Sequence, residues 1–250
     1  MTDLAELTAI DLLTHYRSGT ASPVDATAAA FKRIARYDAA LNTFCYLDED
    51  SAMASARASE DRWQRGEPAG LLDGVPTTIK DTIMVKGWPY LLGSHLRDVR
   101  DFPMEDPPVV ERLRAHNAVI LGKTNTPEFG AGSQTYNEVF GETLNPYDLA
   151  KTCGGSSGGA AVALACGMIP IADGGDFGGS LRNPASFCNV VGFRPSPGRV
   201  PSWPTEAAWF PLQVQGPMAR TVEDIALMLS AIAGPDSRSP IAITEPTDLF

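Results

Sequence analysis

The stretch GGSSGGAAVALACGMIPIADGGDFGGSLR, residues 154–182, decides the fold because it places a helix and a strand between two glycine-rich segments that carry serines. The run from Gly158 to Cys166 is apolar and predicts a buried helix whose amino end faces those serines. Met168 to Ala172 predicts the strand that follows. Helix and strand alternate through the middle of the chain, and this order predicts an α/β fold with helices on both faces of a sheet.

The same patterns predict elements outside this stretch. They are a helix capped by Thr8 and ended by Gly19, a helix opened by Ser22-Pro23, a helix over 50–65 that Gly66 stops, a strand over 75–79, a helix over 108–116, a strand over 118–121 and a helix over 221–233. We interpret residues 1–66 as an N-terminal helical cover and residues 70–236 as the region that carries the chemistry.

Ser180 follows two glycines, a pattern typical of a nucleophile that sits in a tight backbone turn. Glycines let the chain turn sharply, so the N–H groups of Phe177, Gly178, Gly179 and Ser180 can converge on one point. Converging donors are what the oxyanion formed by attack on a carbonyl requires. We therefore predict that these four residues form an oxyanion hole around a nucleophilic Ser180.

A serine nucleophile needs a base, and no histidine lies in a glycine-rich segment. The three histidines of the chain are His15, His95 and His116. Lys80 instead ends the apolar strand over 75–79, and burial would have to lower its pKa by roughly 3 units to make it a useful base at neutral pH. An ion pair of Lys80 with Asp81 or another carboxylate at the strand end is the alternative.

These segments make the chain similar to the amidase signature family. The matches lie at residues 154–159, 176–185 and 192–200 in the family's central stretch, and at 79–81, 119–129, 145–146 and 216–224 outside it. The resemblance covers roughly residues 8 to 236. It implies a mixed, twisted β-sheet sandwiched between α-helices.

The resemblance also implies a catalytic triad. Lys80 would be the base, Ser156 the bridging serine and Ser180 the nucleophile that accepts the acyl group. The bridging serine would follow a cis peptide bond from Gly155. With these roles, neutral Lys80 draws a proton from Ser156 while Ser156 draws one from Ser180, and water later hydrolyses the acyl-enzyme by the same path.

Residues next to the triad are expected to support it. Ser157 is a supporting hydrogen-bond residue, and Asp176 and Arg182 are expected to fix the nucleophile turn by pairing with each other or with backbone groups. Two positions depart from the family pattern. Cys153 stands where proline is frequent, and Gly175 stands where threonine or serine commonly precedes the aspartate.

The implied activity is hydrolysis of a carboxamide C–N bond in a small molecule, with anilides, carbamates and esters as related acyl substrates. One alternative is the amidase subunit of a transfer-RNA-dependent amidotransferase, which would need partner subunits. Another is a catalytically silent fragment or binding module. Family members are usually much longer, with a C-terminal half that adds strands and pocket walls. We therefore interpret residues 1–250 as a single domain that is incomplete at its C-terminus.

Composition limits the partners. The chain has 20 basic and 30 acidic residues, a net charge of −10 that argues against nucleic acid, although the family's transfer-RNA role keeps charge from excluding it. The amino terminus lacks a secretion signal and no segment has the apolar length of a membrane span, so a cytoplasmic location is expected. The four cysteines show no paired spacing, and no metal or cofactor is predicted. Self-association into a homo-oligomer is left open.

One loop has two interpretations. Residues 201–211 contain Trp203, Trp209 and Phe210. These aromatic side chains favour packing against the domain, and the alternative is a lid over an apolar substrate.

Overall fold

The computed structural model describes residues 3–100, 102–246 and 250. Its α-helices are α1 (Ala9–Ser18), α2 (Pro23–Leu41), α3 (Glu49–Gln64), α4 (Pro108–Ala115), α5 (Gly158–Ala165), α6 (Arg182–Phe187) and α7 (Val222–Ile232). Its strands are β1 (Phe44–Leu47), β2 (Pro76–Lys80), β3 (Val119–Thr124), β4 (Tyr136–Asn137), β5 (Gly141–Glu142), β6 (Ile171–Asp176), β7 (Val191–Gly192) and β8 (Val214–Ala219). Within these described ranges, no helix is both long enough and apolar enough to cross a bilayer.

The local sequence explains where the first helices begin and end. Thr8 Oγ1 accepts the N–H of Asp11, and the Asp11 carboxylate accepts the N–H of Thr8. Ser22 and Asp25 form the same reciprocal pair before α2. Such capping boxes satisfy N–H groups that have no partner inside the helix. Gly19 ends α1 in the left-handed conformation, with φ of 68°. The predicted starts of α1 and α2 and the end of α1 are confirmed.

Two three-stranded sheets form the centre of the fold. β3 is the central strand of the first, parallel to β2 and antiparallel to β1, and β8 is the central strand of the second, antiparallel to β6 and β7. β2 and β6 contact each other where the two sheets meet. Side chains link them there: Thr77 Oγ1 donates to the Ile171 carbonyl at 3.2 Å, and the Asp173 carboxylate accepts the N–H of Lys80 at 2.7 Å. The predicted mixed α/β architecture is confirmed.

β3 carries one extra residue relative to β2. Thr77 pairs with Ile120 whereas Ile79 pairs with Lys123, so a step of two residues along β2 matches a step of three along β3. This is a bulge, and a bulge changes the direction of the side chains that follow it. Gly122 lies in it, where a Cβ would be only 2.1 Å from a backbone carbonyl oxygen of β1. The bulge therefore requires glycine at this position.

The helix α5 is buried along almost its whole length, as predicted. Its second residue, Gly159, makes this possible. A Cβ there would lie 2.5 Å from the Thr43 carbonyl oxygen and 2.6 Å from the Asn125 nitrogen. The close approach sets the amino end of α5 against the start of β1 and the end of β3, and α5 also contacts β2 and β6.

Several boundaries differ from the sequence predictions. The strand predicted over 118–121 runs on to Thr124, and the strand predicted over 168–172 lies at 171–176. β1, β8 and α6 were not predicted, so the segment 1–66 contributes a strand in addition to its helices. β8 contains Gly-Pro in a central strand, where sequence rules would place neither residue.

Candidate active site

Lys80 ends β2 with a buried side chain that touches Ser156. The exposed fraction of Lys80 is 2%, and its Nζ lies 2.7 Å from Ser156 Oγ. Ser156 is also buried, and the peptide bond between Gly155 and Ser156 is cis, as the resemblance implies. A neutral amine at this distance can accept the hydroxyl proton, whereas an ammonium can only donate to the oxygen. The protonation state of Lys80 therefore decides what this contact can do.

Burial lowers the pKa of Lys80 to about 7, against the negative charges of Asp173 and Asp176, which act in the opposite direction. A nearby carboxylate could have cancelled the effect of burial, but Asp81 is engaged elsewhere. Its Oδ1 lies 2.6 Å from Nζ of Lys123, another fully buried lysine. Asp81 thus pairs with Lys123 and not with Lys80. A large share of Lys80 side chains is consequently neutral at physiological pH.

Ser180 lies on the same cleft as Lys80 and Ser156, a cavity of about 660 Å³. Its side chain is partly exposed, and its hydroxyl forms no hydrogen bond with any residue that the structure describes. Ser157 holds the backbone nearby, since its N–H donates to the Ser180 carbonyl at 3.1 Å and its hydroxyl donates to the Gly175 carbonyl at 3.3 Å. The structure therefore brings the three predicted residues to one cleft, with direct contact between Lys80 and Ser156 only.

Asp176 organises the turn that carries Ser180. Its carboxylate accepts the N–H groups of Gly179 at 2.8 Å and Leu181 at 3.2 Å. Arg182 donates to both carboxylate oxygens at 3.0 Å, and Arg194 donates to one of them at 3.0 Å. Burial alone would raise the pKa of this carboxyl, yet these hydrogen bonds lower it to about 2. The negative charge of Asp176 is therefore permanent at physiological pH and fixes both ends of the turn.

The predicted oxyanion donors differ in availability. The N–H of Gly179 is already used, because it donates to Asp176. The N–H groups of Phe177, Gly178 and Ser180 have no acceptor among the described residues. These three N–H groups are free to bind a ligand oxygen, and an oxyanion role for all four residues stays a prediction.

The aromatic loop 201–211 reaches the nucleophile turn. The rings of Phe210 and Phe177 stack with centroids 5.7 Å apart, and both rings are about half exposed. Trp203 is partly buried under the Arg238 guanidinium, which lies 4.5 Å from its ring centroid, whereas Trp209 is 75% exposed. The loop thus combines packing at Trp203 with a Phe210 side chain beside the cleft. A second cavity of about 180 Å³ lies beneath it and shares Thr82, Tyr90 and Gln213 with the cleft.

The two departures from the family pattern are accommodated. Cys153 is buried, and its thiol donates to the Thr143 carbonyl at 3.2 Å, while burial raises its pKa to about 12. Gly175 has room for a side chain, because the nearest heavy atom to an added Cβ would be 3.7 Å away. The Gly175 carbonyl is instead used by the Ser157 hydroxyl.

The histidines are placed away from Ser180. His15 bonds to Thr20, and the ring of His116 accepts the N–H of Leu71. His95 lines a different cavity, and no histidine lines the cleft of Ser180. Among the described residues, no group of three histidine, cysteine or acidic side chains is arranged to hold a metal ion.

Sequence reasoning missed Asp173. This residue is fully buried in β6, and one carboxylate oxygen accepts the backbone N–H of Lys80 while the other has no hydrogen-bond partner. Burial raises the pKa of its carboxyl to about 7. The available signal was an aspartate inside an otherwise apolar strand segment, Ile171-Ala-Asp173, which a buried strand tolerates only for a reason.

The sequence matches the protein family described as Amidase over residues 25–247. A curated relative from Acidothermus cellulolyticus, named as a subunit of glutamyl-tRNA(Gln) amidotransferase, is 42% identical over 246 residues, which are 98% of this chain and 48% of the relative. The chain thus spans about half the length of the curated relatives it matches.

Solved structures give the same picture. A bacterial aryl acylamidase described as belonging to the amidase signature family superposes with a TM-score of 0.91 at 37% identity, covering 96% of this chain and 50% of that chain. A peptide amidase from Stenotrophomonas maltophilia superposes with a TM-score of 0.87 at 33% identity, covering 96% of this chain and 50% of that chain.

Proposed function

The chain belongs to the amidase signature family, and from this premise we propose that it is a serine amidohydrolase that cleaves the C–N bond of a carboxamide. One observation carries the proposal. The buried amine of Lys80, which has no ion-pair partner among the described residues, lies 2.7 Å from Ser156 Oγ on the cleft that also holds Ser180. An unpaired buried lysine with a pKa of about 7 can act as a base at neutral pH.

In the proposed acylation step, neutral Lys80 takes the proton of Ser156 while Ser156 takes the proton of Ser180. The Ser180 oxygen attacks the carbonyl carbon, and the free N–H groups of the turn donate to the oxygen on which negative charge develops. The proton then returns through Ser156 to the leaving nitrogen, so that the amine departs neutral. Ser156 and Ser180 form no hydrogen bond in the structure, so the relay requires their two hydroxyls to come into contact during the reaction.

In the deacylation step, water replaces the amine and gives its proton to the same relay as it attacks the acyl carbon. The bond between that carbon and Ser180 Oγ then breaks, and the relay returns the proton to the Ser180 oxygen as the carboxylic acid leaves. Asp176 contributes by holding the turn in one conformation through Gly179, Leu181 and two arginines. A fixed turn keeps its N–H groups aimed at one point without reorganisation during the reaction. Ser157 acts in the same way through its bond to the Ser180 carbonyl.

The cleft suits small acyl compounds. Its walls combine aromatic side chains, among them Tyr90, Phe129 and Phe177, with backbone and hydroxyl groups. Such walls accept a flat or apolar group beside a polar reacting centre. We therefore include anilides, carbamates and esters with the simple amides as candidate substrates.

The name of the curated relative favours a second candidate, the amidase subunit of a transfer-RNA-dependent amidotransferase. In that role the same serine chemistry would release ammonia from an amide donor, and partner subunits would deliver it to an acylated transfer RNA. The net charge of −10 gives this chain little attraction for RNA phosphates, so RNA contacts would come from the partners. A catalytically silent fragment is the third candidate.

Two measurements separate these candidates. Stoichiometric labelling of the full chain by a fluorophosphonate, absent in Ser180→Ala, would reject the silent fragment. Amine or ammonia release should then be measured on a panel of aliphatic amides, anilides and carbamates. Turnover by the chain alone supports the independent amidohydrolase, whereas hydrolysis that appears only with partner subunits supports the amidotransferase. A Ser180→Ala variant that retains activity would refute the proposed nucleophile.

A further inference from the structure

We propose that Asp173 is a positioning residue that sets the pH at which Lys80 becomes a base, a role that deepens the proposed function and rests on it. Asp173 does not touch the cleft and is not a member of the predicted triad. Among the residues that the structure describes, it is the one buried acid whose side chain bonds to the backbone of Lys80. The Lys80 N–H donates to Asp173 Oδ1 at 2.7 Å.

The geometry gives Asp173 two functions. β2 and β6 belong to different sheets, and the Lys80 N–H donates to the Asp173 side chain where these strands meet. This hydrogen bond fixes the end of β2, from which the Lys80 side chain projects. The second oxygen, Oδ2, is buried and has no hydrogen-bond partner. An unsatisfied buried carboxylate oxygen is costly, because nothing replaces the water it has lost. The site therefore favours a neutral Asp173 unless a cation nearby compensates the charge.

The cations near Asp173 lie on β2 and β3. Lys80 is the first, and its charge would stabilise an ionised Asp173. Lys123 is the second, but its Nζ forms an ion pair with Asp81 at 2.6 Å, so most of its charge is already compensated. Lys80 and Asp173 are consequently coupled: an ionised Asp173 favours protonated Lys80, and a neutral Asp173 favours the neutral amine.

Other charged groups around β6 do not replace this coupling. Asp176, on the same strand, also raises the pKa of Lys80, but its charge is largely compensated by ion pairs with two arginines. β8 and α5, which pack against β6, contain no titratable side chain. α7 brings Asp224, whose carboxylate accepts the N–H groups of Ala9 and Ile10, and an exposed Glu223.

The sign of the effect follows. The negative charge of Asp173 holds the proton on Lys80, so removing that charge should make Lys80 neutral at lower pH. Asp173→Asn is the appropriate change, because the asparagine side-chain oxygen can still accept the Lys80 N–H. The acidic limb of the reaction should therefore move to lower pH while the strand end stays in place.

The test is the pH dependence of the labelling rate of Ser180 by a fluorophosphonate in the full chain, from about pH 5 to about pH 10. We expect the midpoint of the acidic limb in Asp173→Asn to fall by about one pH unit relative to the wild type. Asp224→Asn is the matched control, since Asp224 is also fully buried and also accepts backbone N–H groups, those of Ala9 and Ile10. The midpoint of the acidic limb in Asp224→Asn should equal that of the wild type. Asp173→Ser gives a second neutral variant if the asparagine variant does not fold.

The outcomes are distinguishable. Suppose that the wild type labels normally and that the midpoint of the acidic limb is unchanged or higher in the neutral variants of Asp173. This result overturns the inference and leaves the proposed function intact. An equal downward shift in Asp224→Asn also overturns it, because the effect would then belong to any buried carboxyl. A wild type that does not label at any pH refutes the proposed function and this inference together.

Discussion

Replacing Lys80 by methionine should raise the stability of the folded protein at neutral pH, although it removes the proposed base. The pKa of Lys80 is about 7 in the fold and 10.5 for an ordinary lysine, so at pH 7 folding must remove a proton from a group that is charged in the unfolded chain. This costs about 4 kcal/mol. Because the native state binds fewer protons, the stability of the wild type should rise with pH between these two values. Lys80→Met has no such cost.

The assay is urea denaturation of both proteins at pH 7 and pH 10. The free energy of unfolding of Lys80→Met minus that of the wild type should fall by about 3 kcal/mol between the two pH values. The loss of the bond to Ser156 affects the variant equally at both pH values and cancels. Asp173 changes this stability difference in the same direction. In Lys80→Met the Asp173 carboxyl loses the nearby cation and its pKa in the fold rises further, so its ionisation between pH 7 and pH 10 destabilises the variant more than the wild type.

Lys123→Met is the matched control, since Lys123 is equally buried but forms an ion pair with Asp81. Its removal leaves the buried Asp81 without its cation, with the Gly93 N–H still donating to its carboxylate, and should lower stability by roughly 3 kcal/mol at pH 7. The two buried lysines should therefore give opposite signs. A stability difference for Lys80→Met that does not change between pH 7 and pH 10 would refute the reasoning, because Lys80 would then be protonated in the fold.

Three further predictions concern the site and the fold. Ser180→Ala should abolish turnover, and Ser156→Ala should lower kcat by roughly 10³-fold, both measured by amine release from an amide substrate. Asp176→Asn should lose about 2 kcal/mol of stability at pH 7, because the pKa of Asp176 is about 2 in the fold and 3.8 ordinarily. The loss of stability relative to the wild type should become smaller as the pH falls from 3.8 to about 2. Urea denaturation at pH 7 and pH 3 measures this change. Gly159→Ala should destabilise the protein by about 1–3 kcal/mol in thermal unfolding because its Cβ would meet backbone at 2.5 Å, whereas Gly178→Ala, with nothing within 4 Å of the added Cβ, should not.

The parts of the site that could be predicted from the sequence are those encoded locally. Ser156 and Ser180 stand in short glycine-rich segments, and Lys80 ends an apolar run, so each is recognisable without its neighbours. The helices α1 and α2 were predictable for the same reason, since their caps lie within four residues of their starts. Local chemistry identifies a residue or a helix start wherever the partners are close in sequence.

The parts that could not be predicted depend on contacts between distant segments. Asp81 follows Lys80 directly, and only the pairing of β2 with β3 shows that its partner is Lys123. Asp173 reaches Lys80 across the junction of two sheets. β8 gains its position from β6 and β7 on either side, which outweighs the poor strand propensity of Gly-Pro. In each case contacts between distant segments decide the feature, and the local sequence either does not predict it or predicts something else.

The bulge in β3 makes the spacing of residues between Ile120 and Lys123 as important as their identity. Deleting one residue here would restore one-to-one pairing with β2 and remove the bulge, and this would change the direction of the Lys123 side chain relative to Asp81. Asp81 would then lose its cation, and its negative charge, next to Lys80 in the chain, would favour protonated Lys80 and so oppose its action as a base. We therefore expect homologues and engineered libraries to accept point changes in this segment far more readily than single-codon insertions or deletions.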